Sequence, residues 1–234
     1  ARESADIVLL RPDLGVLRQG VLDGRRTFAN TLKYISITTS ANFGNMVSMA
    51  LATPLLPFLP LAATQILLNN FLSDIPSAAI ATDNVDPARL SRPQRWDLRG
   101  ILRFMAVFGL VSSAFDMLTF AVLLLGFGAA EAEFRTAWFL VSLLTELAVV
   151  LVLRTRGPAL RGRPGRLLLW STLAAGAAAL AIPFLDGFAS AFGFVPLPAA
   201  LVAASLAIVA GYIVATETAK LALFRDEAAA PAGG

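Results

Sequence analysis

The sequence has 234 residues, of which 57% are hydrophobic and 15% charged, with 19 Lys and Arg against 16 Asp and Glu, and a mean hydropathy of +0.71. That composition excludes an ordinary soluble domain and indicates a membrane protein. There is no Cys and no His, which removes disulfides, thiolate or imidazole metal sites, and Ser-His-Asp or Cys-His catalysis.

Residues 1–32 are the only stretch with a soluble pattern. Ala5 to Leu10 predicts a short buried strand, and Pro12-Asp13 a turn into a helix that starts near Leu14. Leu14, Leu17, Val21, Phe28 and Leu32 recur at helical spacing and would lie against a partner. A strand and half an amphipathic helix do not fold alone, so this segment is expected to be the last edge of a larger cytoplasmic domain. The chain starts without Met and is expected to be a fragment.

The helical pattern runs from Leu14 to Pro54, about 60 Å at 1.5 Å per residue. This is twice a bilayer core, so its first half is expected to be a cytoplasmic stalk and residues 33–54 a membrane span. Thr38, Asn42, Asn45 and Met49 share one face of that span. Asn42 and Asn45 are open to two readings, as ion-site residues or as interhelical hydrogen-bonding groups.

The second span, residues 60–81, is the most informative stretch. Asn69, Asn70, Ser73, Asp74 and Ser77 interrupt its apolar run. An acidic residue at the centre of such a helix costs roughly 2.5 to 3.5 kcal/mol on insertion scales, and it usually faces a bundle interior or a water-filled path. Asn70 and Asp74 are four apart on one face, with Ser73 and Ser77 flanking them. Pro76 offers no N–H to Leu72, which frees that carbonyl and is expected to bend the helix. Carboxylate, amide and carbonyl oxygens are the hard donors that Mg²⁺ or Ca²⁺ takes. The competing reading makes Asp74 a paired residue that holds helices together.

Four more spans are predicted at 101–126, 137–153, 167–186 and 198–218. Ser112, Asp116 and Thr119 share a face of the third, where Asp116 is either an ion ligand or a structural partner. The fourth carries Ser142, Thr145 and Glu146, about two turns from Arg154, and Glu146 either binds the ion or snorkels or pairs near the inner boundary. The Ala- and Gly-rich fifth and sixth spans suit close helix packing. Eighteen of the 19 Lys and Arg fall in alternate connecting segments, leaving Arg135 on the other side, so both termini are expected in the cytoplasm. These charges flank spans and form no aromatic-interleaved patch, so membrane lipids, anionic ones included, are expected partners and nucleic acid is not. Residues 226–234 are expected to be a disordered tail.

ARESADIVLL, GRRTFANTLKYI, SANFGN and NNFLSDIP together resemble the end of the phosphorylation domain and the fifth and sixth membrane helices of P-type ion-pumping ATPases. TDNVDPARLSRPQRW, FGLVSSAFDMLTF and AWFLVSLLTELAVVLVLRTR are similar to the magnesium-transporting branch, over residues 1 to about 225. The resemblance implies an all-α membrane protein. Its architecture would be a six-transmembrane-helix bundle over 33–225, carrying a long cytoplasmic stalk helix and a short N-terminal strand remnant within 1–32.

The resemblance also implies that ATP phosphorylates a cytoplasmic aspartate and that the resulting movement drives Mg²⁺ into the cytoplasm across a bacterial inner membrane. Mg²⁺ is then the transported ion, and ATP acts only through domains outside these residues. No Asp-Lys-Thr-Gly-Thr or Thr-Gly-Glu motif occurs in the sequence, so no catalytic residue is assigned and the remainder of the pump is an expected partner. Carried over, the ion path comprises Asn42 and Asn45 on the fifth helix and Asn70, Ser73 and Asp74 on the sixth, with Glu146 at a position that calcium pumps also fill with an acid; Asp116 joins the candidates from its place within the third span. Asn45 stands where calcium pumps carry glutamate, which lowers the charge of the site and suits Mg²⁺. Pumping of another cation such as Ca²⁺, or a stand-alone passive channel or accessory membrane protein, is the alternative.

Overall fold

The computed structural model describes Val8, residues 13–91 and residues 93–229. The strand expected at Ala5 to Leu10 lies almost wholly outside them. The described secondary structure is helical throughout: α1 (Leu14–Ala52), α2 (Ala63–Ala79), α3 (Pro87–Leu90), α4 (Leu98–Ala121), α5 (Glu131–Leu153), α6 (Arg166–Ala181), α7 (Asp186–Phe192) and α8 (Ala199–Ala229).

Helix α1 starts where the Asp13 side chain accepts a hydrogen bond from the Gly15 amide, at 2.7 Å, an N-cap that satisfies one of the free donors at a helix start. It ends just before the Pro54–Pro60 turn. A single unbroken helix therefore joins the expected stalk to the expected first span.

Helix α5 is the axis of the bundle. Phe134, Trp138, Phe139, Leu140 and Leu143 are each 2% exposed or less, and a helix that is apolar all round belongs in an interior. Helix α8 packs along α5, α2 lies against α5 and α6, and α1 packs along α4. One apolar cluster gathers α5 with Phe120, Leu123, Ala179 and Leu201. A second, around Ile37, Phe104, Phe108, Val150 and Leu153, ties the other end of α5 to α1, α4 and Leu223 of α8. Outward faces carry Leu102, Leu110, Leu118, Trp170, Leu173 and Val214, all exposed, as suits a bundle surrounded by lipid.

Four helical segments are long and apolar enough to cross a membrane: Leu98–Gly126, Glu131–Leu153, Arg166–Phe184 and Ala199–Arg225. They fall on the last four predicted spans. The other two expected spans fall on α1, whose length is shared with polar residues, and on α2, which has only 17 residues, and neither is among those four. Helix α8 continues to Ala229, into the stretch expected to be disordered. The sequence there, Glu227 followed by alanines, is made of strong helix formers, so residues 226–229 are helical and residues 230–234 lie outside the described part.

The α1–α4 contact depends on two glycines. A Cβ on Gly44 would lie 2.9 Å from Ser112 Cβ and 3.0 Å from the Gly109 carbonyl oxygen. One on Gly109 would lie 2.5 Å from Phe43 Cδ1 and 3.1 Å from the Ser40 carbonyl oxygen. The Ser113 hydroxyl donates across the same contact to the Gly44 carbonyl, at 3.0 Å. Small residues here let the two backbones approach. Gly109→Ala is expected to cost about 1–3 kcal/mol through overpacking, seen as a lowered midpoint in thermal unfolding, whereas Gly20→Ala, with open space around it, is expected to be neutral or slightly stabilising.

Candidate ion site

Helix α2 is built inside out. Gln65, Asn69, Ser73 and Ser77, spaced four apart, are buried at 1%, 3%, 3% and 7% exposure, while Leu67, Phe71 and Ile75 are more than half exposed. In water this arrangement would be unfavourable. In a bilayer it directs apolar side chains to lipid and polar ones to the protein interior. Pro76 stays inside the helix and is buried.

The inward stripe meets α5 at Glu146. Asn69 Nδ2 donates to Glu146 Oε2 at 3.1 Å. Ser73 interacts with the same carboxylate, and Asp74 is close enough to act on it electrostatically. The Asn69 carbonyl oxygen Oδ1 is buried and has no hydrogen-bond partner among the described residues. The Ser73 hydroxyl donates back to the Asn70 carbonyl at 3.2 Å. One carboxylate, an amide oxygen and a hydroxyl therefore collect between α2 and α5, with Asp74 on the exposed flank of α2. Among the described residues, no group of three or more acidic side chains is placed to hold a metal.

Of the residues singled out from the sequence, Ser73 and Glu146 come together, and Asp74 acts on Glu146 only through its charge. Asn70 and Asp74 are exposed on the flank of α2, as is Asn42 on α1, and Asn45 is half-buried. Asp116 belongs to a different group. Its Oδ2 accepts from Ser48 Oγ at 2.6 Å and its Oδ1 from Trp138 Nε1 at 2.9 Å, so it joins α4 to α1 and α5. Glu146 does not reach Arg154, whose guanidinium instead faces Asp83 at 3.6 Å.

Asn69 was not among the predicted site residues although it sits beside them in the sequence. The i, i+4 series Gln65, Asn69, Ser73, Ser77 could have identified it, because a polar stripe with that spacing on an otherwise apolar helix defines one face. Ser48 and Trp138 gave no comparable sign.

A second polar group closes the side of the bundle where the basic segments meet. Asp83, 1% exposed, follows α2 and accepts from Lys33 Nζ at 2.8 Å and from the Gly165 amide at 2.9 Å. Lys33 also donates to the Asn84 carbonyl, at 2.7 Å, and Asn30 Nδ2 to the Asp83 carbonyl, at 2.9 Å. The connection after α2 is thereby fixed to α1 and to the start of α6. Lys220, fully buried, makes a similar tie from α8 to the Val152 carbonyl at 2.9 Å and to Glu217 at 2.6 Å.

Comparison with known proteins agrees with this architecture. Residues 58–222 match the family described as "Cation transporting ATPase, C-terminus". The chain is 41% identical over 225 residues, 94% of its length, to "Magnesium-transporting ATPase, P-type 1" of Salmonella typhimurium, covering 25% of that protein. The same figures hold for the protein of that name in Escherichia coli K12. A putative cation-transporting ATPase of Methanocaldococcus jannaschii is 30% identical over 174 residues, 74% of the chain and 21% of the relative. The chain thus spans about a quarter of the length of the curated relatives it matches most fully. It belongs to the cation-transporting ATPase C-terminal family, as the membrane-helix portion of a P-type ATPase.

Proposed function

We propose that this chain is the transport portion of an ATP-driven P-type pump that carries Mg²⁺ into the cytoplasm, and that the ion passes between α1, α2 and α5. The observation that carries the reading is the inward polar face of α2 meeting Glu146, with an unpartnered Asn69 carbonyl beside the carboxylate. Mg²⁺ holds its waters tightly and usually binds through one or two carboxylates. A site with Asp74 and Glu146 as its acids and amide and hydroxyl oxygens for the rest suits that ion. The magnesium-transporting names of the similar proteins support the same choice.

Asn42, Asn45, Asn70 and Asp74 lie toward flanks of α1 and α2 that the described residues do not fully cover. In this reading the remaining membrane helices of the pump close over them. The phosphorylated aspartate and the nucleotide site belong to the rest of the pump. Helix α1, continuous from Leu14 to Ala52, is the rod that passes their movement to the site.

The test is growth of a Mg²⁺-uptake-deficient bacterium on low Mg²⁺, rescued by the full-length pump. Asp74→Asn keeps size and hydrogen bonding but deletes the charge. It is expected to abolish rescue while membrane expression is unchanged. Undiminished rescue would make Asp74 a structural residue and move the ion away from α2. Rescue on limiting Ca²⁺ but not Mg²⁺ would assign the pump to Ca²⁺.

A further inference from the structure

The Ala-rich sequence of α8 suits close packing, yet the side it turns to α4 and α5 carries Ser205, Tyr212 and Thr216, each 3% exposed or less. The Tyr212 ring packs edge-on against Phe115 of α4, with centroids 5.4 Å apart and planes at 76°. It belongs to the apolar cluster that contains Phe104, Phe108 and Val150. A phenylalanine would fill that place equally well. A buried phenol costs free energy unless its hydroxyl finds a partner, so the hydroxyl is the part of this residue that packing does not explain.

The Tyr212 hydroxyl lies beside Ser112 of α4 and Thr216 of its own helix, and Asp116 and Glu146 are both close enough to act on it electrostatically. A phenol has one proton to donate. Thr216 Oγ1 is buried with no hydrogen-bond partner among the described residues, so that proton is not spent within α8 and is available on the α4 side, toward Ser112. Ser112 stands one turn from Asp116 on the same helix face and packs on α1, where a Cβ added at Gly44 would lie 3.2 Å from Ser112 Oγ. Asp116 in turn is bonded to Ser48 of α1 and Trp138 of α5, and Glu146 to Asn69 of α2. Tyr212 is thus within reach of two polar groups that are otherwise separate.

We propose that Tyr212 is a positioning residue of the ion path: its hydroxyl, brought by α8 to Ser112 and within reach of Asp116 and Glu146, holds α4 and α5 in the register at which the path takes up the ion. In an interior of low dielectric a hydroxyl dipole acts on nearby carboxylates more strongly than it would in water. The ring keeps α8 on Phe115 while the hydroxyl addresses the polar side, so one substitution can remove the second function and leave the first. The proposal rests on the reading that the ion passes between α1, α2 and α5, and it adds α8, which that reading leaves out.

The experiment is the initial rate of Mg²⁺ uptake against external Mg²⁺ in an uptake-deficient bacterium expressing the full-length pump, with membrane expression measured and unfolding midpoints taken on the purified protein. Tyr212→Phe keeps the ring on Phe115 and deletes the hydroxyl. It is expected to raise KM about three- to tenfold, the worth of one hydrogen bond, and to leave Vmax and the unfolding midpoint near wild type. Ser112→Ala should raise KM in the same direction, and the double variant should be no worse than Tyr212→Phe, because the two groups act as one contact. Val214→Ala, on the exposed face of α8, should leave KM unchanged. An unmoved KM for Tyr212→Phe, with or without a lowered midpoint, would make Tyr212 a packing residue and overturn the proposal. Effects that add in the double variant would overturn it as well, since the hydroxyl would not then act through Ser112. Glu146→Gln, run alongside, separates the two readings. If it loses uptake while Tyr212→Phe keeps its KM, only the role of Tyr212 falls, whereas wild-type uptake by Glu146→Gln removes the ion path from α5 and this proposal with it.

Discussion

Asp83→Ala is expected to destabilise the folded protein by about 3–5 kcal/mol, the range for removing one partner of a buried charge pair. The side chain of Asp83 is fully buried and those of Lys33 and Arg154 are each 3% exposed. Truncation therefore leaves two cations without their carboxylate, and the Gly165 amide loses its acceptor. The site cannot collapse to compensate, because a Cβ at Gly165 would already lie 3.0 Å from the Thr82 carbonyl oxygen and 3.2 Å from Asp83 Cα. Lys33→Met should cost less, since Arg154 and the Gly165 amide still address Asp83 and a methionine fills the volume without a charge. The measurement is thermal unfolding of detergent-solubilised protein, with the order Asp83→Ala, then Lys33→Met, then wild type in rising midpoint. If Asp83→Ala unfolded with the wild type, the group would not be holding the connection after α2 in place.

That residue also shows where reading the sequence stops. Asp83 sits in a polar run, TDNVDP, that carries no periodicity and resembles any solvated connection. Its partners come from 50 residues upstream and 82 downstream, and only the packing of α1 and α6 beside the end of α2 reveals them. The last four spans were legible because apolar runs of bilayer length have few alternatives once Cys, His and a soluble composition are set aside. Within α2, the spacing of Asn70 with Asp74 marks one face. The face that turned out to be buried is the neighbouring one, Gln65, Asn69, Ser73 and Ser77.

The cause is that an isolated helix presents two adjacent polar stripes, and which of them points inward depends on where α5 and α6 lie. Glu146 was open between two partners for the same reason. Arg154 was the nearer in sequence, but α2 delivers Asn69 to Glu146, while Asp83 takes Arg154. Asp116, whose two oxygens are each engaged by a donor from another helix, could not have been separated from Glu146 by residue type or depth alone.

Those contacts make the Asn69–Glu146 pair the place where the proposed ion path can be tested most sharply. Glu146→Gln is expected to reduce Mg²⁺ uptake by the full-length pump about a hundredfold or more, since it deletes one of the two carboxylates near the path while its amide oxygen can still accept from Asn69 Nδ2. Folding should therefore survive, and a wild-type unfolding midpoint would show that the loss lies in transport. Asn69→Leu should cost about 10–100-fold, the usual penalty for removing a group that orients a metal-binding carboxylate. The decisive arm is the double change Asn69→Asp with Glu146→Gln, which moves the charge across the 3.1 Å contact and preserves the number of carboxylates. If the ion responds to charge at this point between α2 and α5, the double variant should recover part of the uptake that Glu146→Gln loses. If it stays as inactive as Glu146→Gln, the position of the carboxylate on α5 is itself required and Glu146 acts as a direct ligand. If Glu146→Gln retains wild-type uptake, the pair only packs α2 against α5, and the ion passes along the Asn70 and Asp74 face of α2.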